Sequence, residues 1–579
     1  LFDVDQVEVF RGPQGSRTGA NALAGLIYIK TKDPTNQFEG TSEITLGDYG
    51  TQNLGIAFGG PMKNEKLKYR LVLRTDYADG FRKNIFLNKS DTSKKDELTL
   101  RYKLNWDLNE TTEINFLISK VDMDDPADIW TIDGSLNTLS DRPGMDSQET
   151  DSYGIKITKN FNNFDLQSFT SVTNTDVNFS YDADWGNSES HFPYIYDYFS
   201  ETLRKRDTFS QEIRFLSKNT DFSQKNPFEW VFGFDFSELE ETNVTRDDGI
   251  YGDPSDPYGP YESESVVSRN YEAENLSLFG NIDYFLSENY KLAFGLRWEN
   301  WDSKYNDSNQ ESFNPSDNMN GGKISLIKNN DNSNIYFSIA RGYKQGGFNL
   351  GLDATDNSIK DSLIYDPEFL TNYEIGLSSN NNNSILNYSA VFFFSKREDQ
   401  QVLISRQVDP TDPNTFSYLT QNAAEGENYG LEISSNYFVR DNLNLYANFG
   451  LLKTKIKNWE SRSDLENRAQ AHAPERNFSL GANLSFMNNF YLKMDINGKS
   501  SFFYSDSHNN KSKSFQLVNI SLGYTKSNFS TDIWVRNLFD KYYSTRGFFF
   551  GNEAPNFVDT LYRRQGDPKN IGISLRYDF

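Results

Sequence analysis

Apolar and polar residues alternate along much of the chain. Tyr69, Leu71, Leu73, Thr75 and Tyr77 are interleaved with Lys68, Arg70, Arg74 and Asp76. Trp230, Phe232, Phe234 and Phe236 alternate with Val231, Gly233, Asp235 and Ser237, and Leu292, Phe294, Leu296 and Trp298 with Ala293, Gly295, Arg297 and Glu299. A period of two is that of a β-strand, whose successive side chains leave by opposite faces. One face gathers aromatic and aliphatic residues, the other charged and small ones. A soluble sandwich also alternates, but it does not leave charge so regularly on one face. The pattern predicts strands with one face in lipid and the other in an aqueous lumen, as in a transmembrane β-barrel.

The connections are of two kinds. Tight turns are expected at 59–66, 108–111, 162–163, 219–227, 287–289, 329–333, 380–383, 440–442, 488–489 and 526–528, where Asn, Asp and Gly supply left-handed backbone. Long polar loops are expected at 122–150, 178–204, 241–270, 344–368, 407–427, 458–475 and 540–566. With a strand at each end, these turns give about 22 antiparallel strands, an even number as bacterial barrels have. A barrel that wide has a lumen that needs a plug. The chain closes on a strand of the same kind, with Ile571, Ile573, Leu575, Tyr577 and Phe579 alternating with Gly572, Ser574, Arg576 and Asp578.

Composition narrows the class. The chain has 579 residues, 36% hydrophobic and 15% aromatic, with too many rings for a disordered chain. Mean hydropathy is −0.70, and no apolar run approaches the length of a transmembrane helix. Cysteine is absent, so thiol chemistry is excluded, and His191, His472 and His508 are scattered, which speaks against a multi-histidine metal site. A net charge of −24 disfavours nucleic acid as a partner, because a phosphate backbone needs a basic surface. The acidic stretches 122–128 and 253–257 offer carboxylates for Ca²⁺ but lack EF-hand spacing, so solvated loops are the expectation. An enzyme barrel would need a nucleophile with a base, and no supported Ser/His pair surrounds the three histidines.

The first residues are unlike the rest. Val7-Glu8-Val9-Phe10 reads as a short strand, Arg11-Gly12-Pro13-Gln14-Gly15 as a turn, and Leu26-Ile27-Tyr28-Ile29 as a second strand ending before Asp33-Pro34. Two strands cannot bury a core alone, so the unit must lean on something larger. The glycines do not make a phosphate loop, since no Gly-Lys-Ser/Thr follows Gly15. Glu8 to Gly15, Asn21-Ala22-Leu23-Ala24-Gly25 and Ile27 to Pro34 resemble the end of the plug domain of TonB-dependent outer-membrane receptors. Asn537-Leu538-Phe539-Asp540-Lys541-Tyr542-Tyr543 and the terminal aromatic strand resemble that family's closing motif.

The resemblance implies an all-β transmembrane antiparallel barrel over residues 37–579, with residues 1–36 as the C-terminal part of a plug in its lumen. The start in mid-motif implies a further N-terminal part upstream, carrying the TonB-contacting peptide. The implied role is TonB-dependent active uptake through the outer membrane of a Gram-negative cell, with no catalysis and no cofactor. A ferric siderophore is the expected solute, with cobalamin or an oligosaccharide as alternatives, and a passive porin or adhesin as the alternative of another class. Implied partners are the TonB complex, outer-membrane lipid and lipopolysaccharide, with a monomeric receptor. Tyr343, Gly346, Gly347, Phe348 and Asn349 resemble part of the family's seventh extracellular loop, which implies ligand contact. Alternation puts Glu374 and Glu432 on the lumen face, and with Arg11 they resemble the family's plug–barrel charge cluster. They are expected to form a buried lock; no second plug arginine can be matched from the sequence.

Overall fold

The computed structural model describes residues 2–19, 21–63, 65–218, 227–350, 363–379, 385–407, 416–459, 463 and 465–579. The expected turn at 380–383, and that at 219–227 apart from Pro227, lie outside the described residues.

Two short strands open the chain, β1 (Val4–Arg11) and β2 (Gly25–Thr31), paired antiparallel with Val9 opposite Ile27. The barrel starts at β3 (Glu39–Gly47) and ends at the strand Asn570–Asp578. These two pair with each other, Ile44 opposite Leu575, and so close a barrel of 22 antiparallel strands. Closure pairs every wall strand on both sides, which removes the open edges that hydrocarbon could not hydrate. The two-residue piece Ser312–Phe313 extends one hairpin at the rim. No α-helix occurs among the described residues.

The outer face is the apolar one. Ile375, 52% exposed, lies opposite Phe337 on one neighbouring strand and Phe392 on the other, both also exposed. Leu296, Ile324, Leu522 and Ile533 continue this band. Ile375 lies mid-strand in Glu368–Ser379, so Ile375→Arg should destabilise the barrel by about 2–4 kcal/mol, the cost of a charge near the bilayer midplane. Urea unfolding in lipid vesicles reads this, and a cost near zero would remove Ile375 from the lipid face.

The short turns lie where Asn and its neighbours permit them: Asn488 and Ser527 take φ of 61° and 52°. The long connections differ from expectation. Much of 122–150, 178–204, 241–270 and 407–427 is strand, not loop. Tyr261–Ser287 runs for 27 residues, where about 9–11 cross a bilayer. These extensions carry Ser, Thr, Asn and charge on both faces, so they lack the apolar face by which alternation was read. Their ladders close on the neighbouring strand whatever the side chains, as between Val244–Asp247 and Ser265–Ser268.

The expected loop 540–566 holds a hairpin, Ser544–Phe550 against Thr560–Gln565. It folds against loops from several parts of the rim. The Phe548 ring lies 4.5 Å from Trp130, Phe550 packs edge-on against Trp185, and Tyr562 is fully buried. Arg82 donates to the Gln565 carbonyl at 2.9 Å, and the Tyr542 hydroxyl donates to the Gly134 carbonyl.

Candidate functional site: the lumen contacts and the mouth

The N-terminal segment lies inside the barrel, because it bonds to lumen-facing residues around the wall. Asp3 takes two hydrogen bonds from Arg70, at 2.7 and 2.5 Å, with both side chains 2% exposed. Arg101 donates to the Phe2 carbonyl at 3.1 Å, and Lys103 to the Thr31 carbonyl and Asp33, each at 2.9 Å. Elsewhere on the wall, Arg17 donates to both oxygens of the buried Asp283 at 2.7 Å, and Lys291 donates to the same carboxylate at 3.0 Å. Arg297 reaches the carbonyls of Gly15 and Thr18 at 3.5 and 3.3 Å. Asn21 donates to the Tyr343 carbonyl at 2.9 Å.

The three residues of the expected lock come together, with one difference in kind. Arg11 pairs with Glu432. Glu374 is next to them but is held by the Tyr336 hydroxyl and, at 3.2 Å, by Asn372 Nδ2; among the described residues no bond joins it to Arg11. Gly12, at φ 72°, brings the turn so close that a Cβ there would sit 3.0 Å from Asn372 Nδ2. The Arg11 side chain is 59% exposed and that of Glu432 32%, so the pair is not buried as expected. Water screens it, and a pair of this exposure contributes about 0–1 kcal/mol rather than the several of a buried one. The attachments that use a buried carboxylate are ones the sequence reading missed. Arg17 is a second plug arginine, six positions after Arg11, but pattern alone did not name Asp283 as its partner. Asp3 and Arg70 lie 67 residues apart, and only the parity of Arg70 was legible.

The loop residues divide into two sets. Tyr343 is 1% exposed. Its hydroxyl accepts from Arg297 Nε at 2.9 Å and donates to Glu299 at 3.0 Å, while Arg297 also donates to Glu299 at 2.5 Å. A ligand contact at Tyr343 does not fit this structure, because the ring and hydroxyl are enclosed by the wall. Asn349, also buried, exchanges two bonds of 2.8 Å with the backbone of Thr420 and ties the loop to the neighbouring rim. By contrast, Gly346, Gly347 and Phe348 line a cavity of about 310 Å³ with Tyr271, Trp301, Lys344 and Tyr365. Gly346 N donates to Asp317 at 3.1 Å, and a Cβ at Gly347 would run into the Tyr365 hydroxyl at 2.3 Å. Phe348 stacks on Phe313 at 5.0 Å and leans on Tyr305 at 4.9 Å. The cavity thus offers flat apolar surface and one cation. Asp122 to Asp125 lie along one wall strand and Asp128 is buried against Asn84 and Thr138; among the described residues no three carboxylate or histidine side chains converge as a metal site.

A closed 22-strand wall with a docked N-terminal segment matches known proteins. The family model "TonB dependent receptor-like, beta-barrel" matches residues 85–538. This chain belongs to that family. The pesticin receptor of Yersinia enterocolitica is 22% identical over 605 aligned residues, covering 100% of this chain and 82% of the relative. Among solved structures, the ferric yersiniabactin uptake receptor FyuA from Yersinia pestis has a TM-score of 0.82 at 19% identity, covering 100% of this chain and 86% of that one. The siderophore receptor PiuA from Acinetobacter baumannii has a TM-score of 0.77 at 16% identity, covering 100% and 87%. At these identities the solved structures establish the fold. The family is one of outer-membrane transport receptors, not enzymes.

Proposed function

We propose that the chain is a TonB-dependent active transporter of the outer membrane that takes up a ferric siderophore. The observation that carries this reading is the occupied lumen. A segment pinned to the wall by Asp3–Arg70 and Arg17–Asp283 argues against a passive pore, and favours a receptor that releases its solute inward only when work is done on the plug. The two kinds of attachment suit that cycle: the water-exposed Arg11–Glu432 pair yields at little cost, while the buried Asp3–Arg70 pair holds register and Arg17, itself exposed, reaches a buried carboxylate. The names of FyuA and PiuA support a siderophore as the solute. Growth under iron limitation, with and without the gene and with and without functional TonB, tests the reading against a siderophore panel. Growth that never depends on the gene for any iron complex would overturn it.

Phe348 is the proposed aromatic contact, with Tyr343 holding the loop rather than touching solute. Phe348→Ala removes a ring stacked in the mouth cavity and should weaken binding of the cognate complex about tenfold, with barrel assembly intact. Tryptophan-fluorescence titration of the purified receptor measures it, and an unchanged affinity would remove Phe348 from the site.

A further inference from the structure

A second cavity, of about 250 Å³, lies between the hairpin Ser544–Phe550/Thr560–Gln565 and the connection 500–514. Lys511, Lys513, Lys541 and Arg563 line it. All four are exposed, and among the described residues none makes an ion pair; Lys511 Nζ instead sits 4.1 Å from the Phe503 ring centroid. The floor is aromatic, with Phe515 and Tyr543 4.6 Å apart. Phe515 has the opposite parity to the lipid-facing Leu522 of the same strand, which puts this floor on the lumen side.

The surroundings add positive charge. Arg82 is pushed down to about 10, by burial first and then by Arg564. Arg564 is lowered by its own burial, with Asp567 opposing and Arg546 adding to the shift. The nearby carboxylates are Asp567, which acts on Tyr543 and Arg564, and Asp133, which acts on Tyr542. In a chain of net charge −24, four cations that make no ion pair among the described residues gather on one small cavity. Like charges gathered in this way repel, and an anion relieves them while gaining charge-assisted hydrogen bonds.

We infer that this cavity is an anion-binding site at the mouth, taking the carboxylate, catecholate or phosphate oxygens of a negatively charged solute. The inference rests on the receptor reading above and narrows its solute to an anionic complex. The test uses purified full-length receptor in detergent, with three probes: the anionic ferric tris-catecholate of dihydroxybenzoate, the uncharged ferric tris-acetohydroxamate, and inorganic pyrophosphate. The anionic iron complex should bind, more weakly as salt rises. The triple variant Lys511→Gln/Lys513→Gln/Arg563→Gln should lose about tenfold or more of that affinity, with no effect on the uncharged complex. Heat-modifiable gel mobility checks that the variant has folded; all three residues are exposed, so folding should be retained. Equal affinity of wild type and variant for the anionic complex, or its failure to bind wild type, overturns the inference. Binding of pyrophosphate that the triple variant weakens equally supports the anion site, whereas binding of pyrophosphate that the variant leaves unchanged counts against this cavity as its site. TonB-dependent uptake of an uncharged complex, with the anionic probes unbound, removes the anion site but leaves the receptor reading standing.

Discussion

Asp3→Asn should loosen the N-terminal segment by about 3 kcal/mol or more, the usual cost of stranding one member of a buried ion pair. Asp3 and Arg70 are each 2% exposed and share two short hydrogen bonds. Loss of the carboxylate leaves Arg70 with Glu39 at 3.2 Å, and that side chain is 45% exposed, which offsets little. Asparagine is the suitable replacement because Asp3 sits at φ 58°, which Asn tolerates and alanine does not. Arg11→Ala is the matched control: its pair with Glu432 is water-exposed, and its loss should cost about 1 kcal/mol or less. A spin label at the exposed Tyr28 position, followed through a urea titration, reports release of the segment before the barrel unfolds. Equal midpoint shifts for the two variants would refute the distinction between a buried anchor and a weak latch.

Glu299→Gln should cost about 3–5 kcal/mol and damage two regions at once. The carboxylate accepts from both Arg297 and Tyr343, and all three side chains are buried. Without it, Arg297 is a buried cation whose remaining charged neighbour, Asp235, makes no hydrogen bond to it among the described residues, and its bonds to the Gly15 and Thr18 carbonyls are no longer oriented. Tyr343 loses an acceptor, and the chain from Tyr343 to Phe348 that shapes the mouth cavity loses its fixed start. Ligand affinity should therefore fall although Glu299 does not line the cavity beside Phe348. Replacing the whole buried set by apolar residues, Arg297→Met, Glu299→Leu and Tyr343→Phe, should recover most of the stability but not the grip on the plug carbonyls. Chemical unfolding, together with proteolysis of the N-terminal segment, separates the two effects. A Glu299→Gln variant with wild-type stability would show that the charge of Arg297 is satisfied elsewhere.

Alternation in sequence was enough for the wall. A period of two, tested residue by residue, decided which side chains of strands such as Leu67–Ala78 and Glu368–Ser379 face lipid, because lipid and water impose opposite demands on neighbouring positions. Turn residues gave the strand number, and parity alone turned Glu374 and Glu432 inward. The polar extensions beyond the membrane were not legible, since with both faces in water the pattern carries no face. The hairpin within 540–566 was hidden for the same reason, although its Phe548-Phe549-Phe550 run was a signal that something packed there. Tertiary structure alone decided who pairs with whom. Arg70 with Asp3, Arg17 with Asp283, and Tyr343 locked by Arg297 and Glu299 join residues distant in the chain and close only once the barrel has shut around its plug. Burial followed from that closure as well: it made Asp3–Arg70 an anchor and left Arg11–Glu432 in water, a difference that two arginines in the same sequence do not reveal.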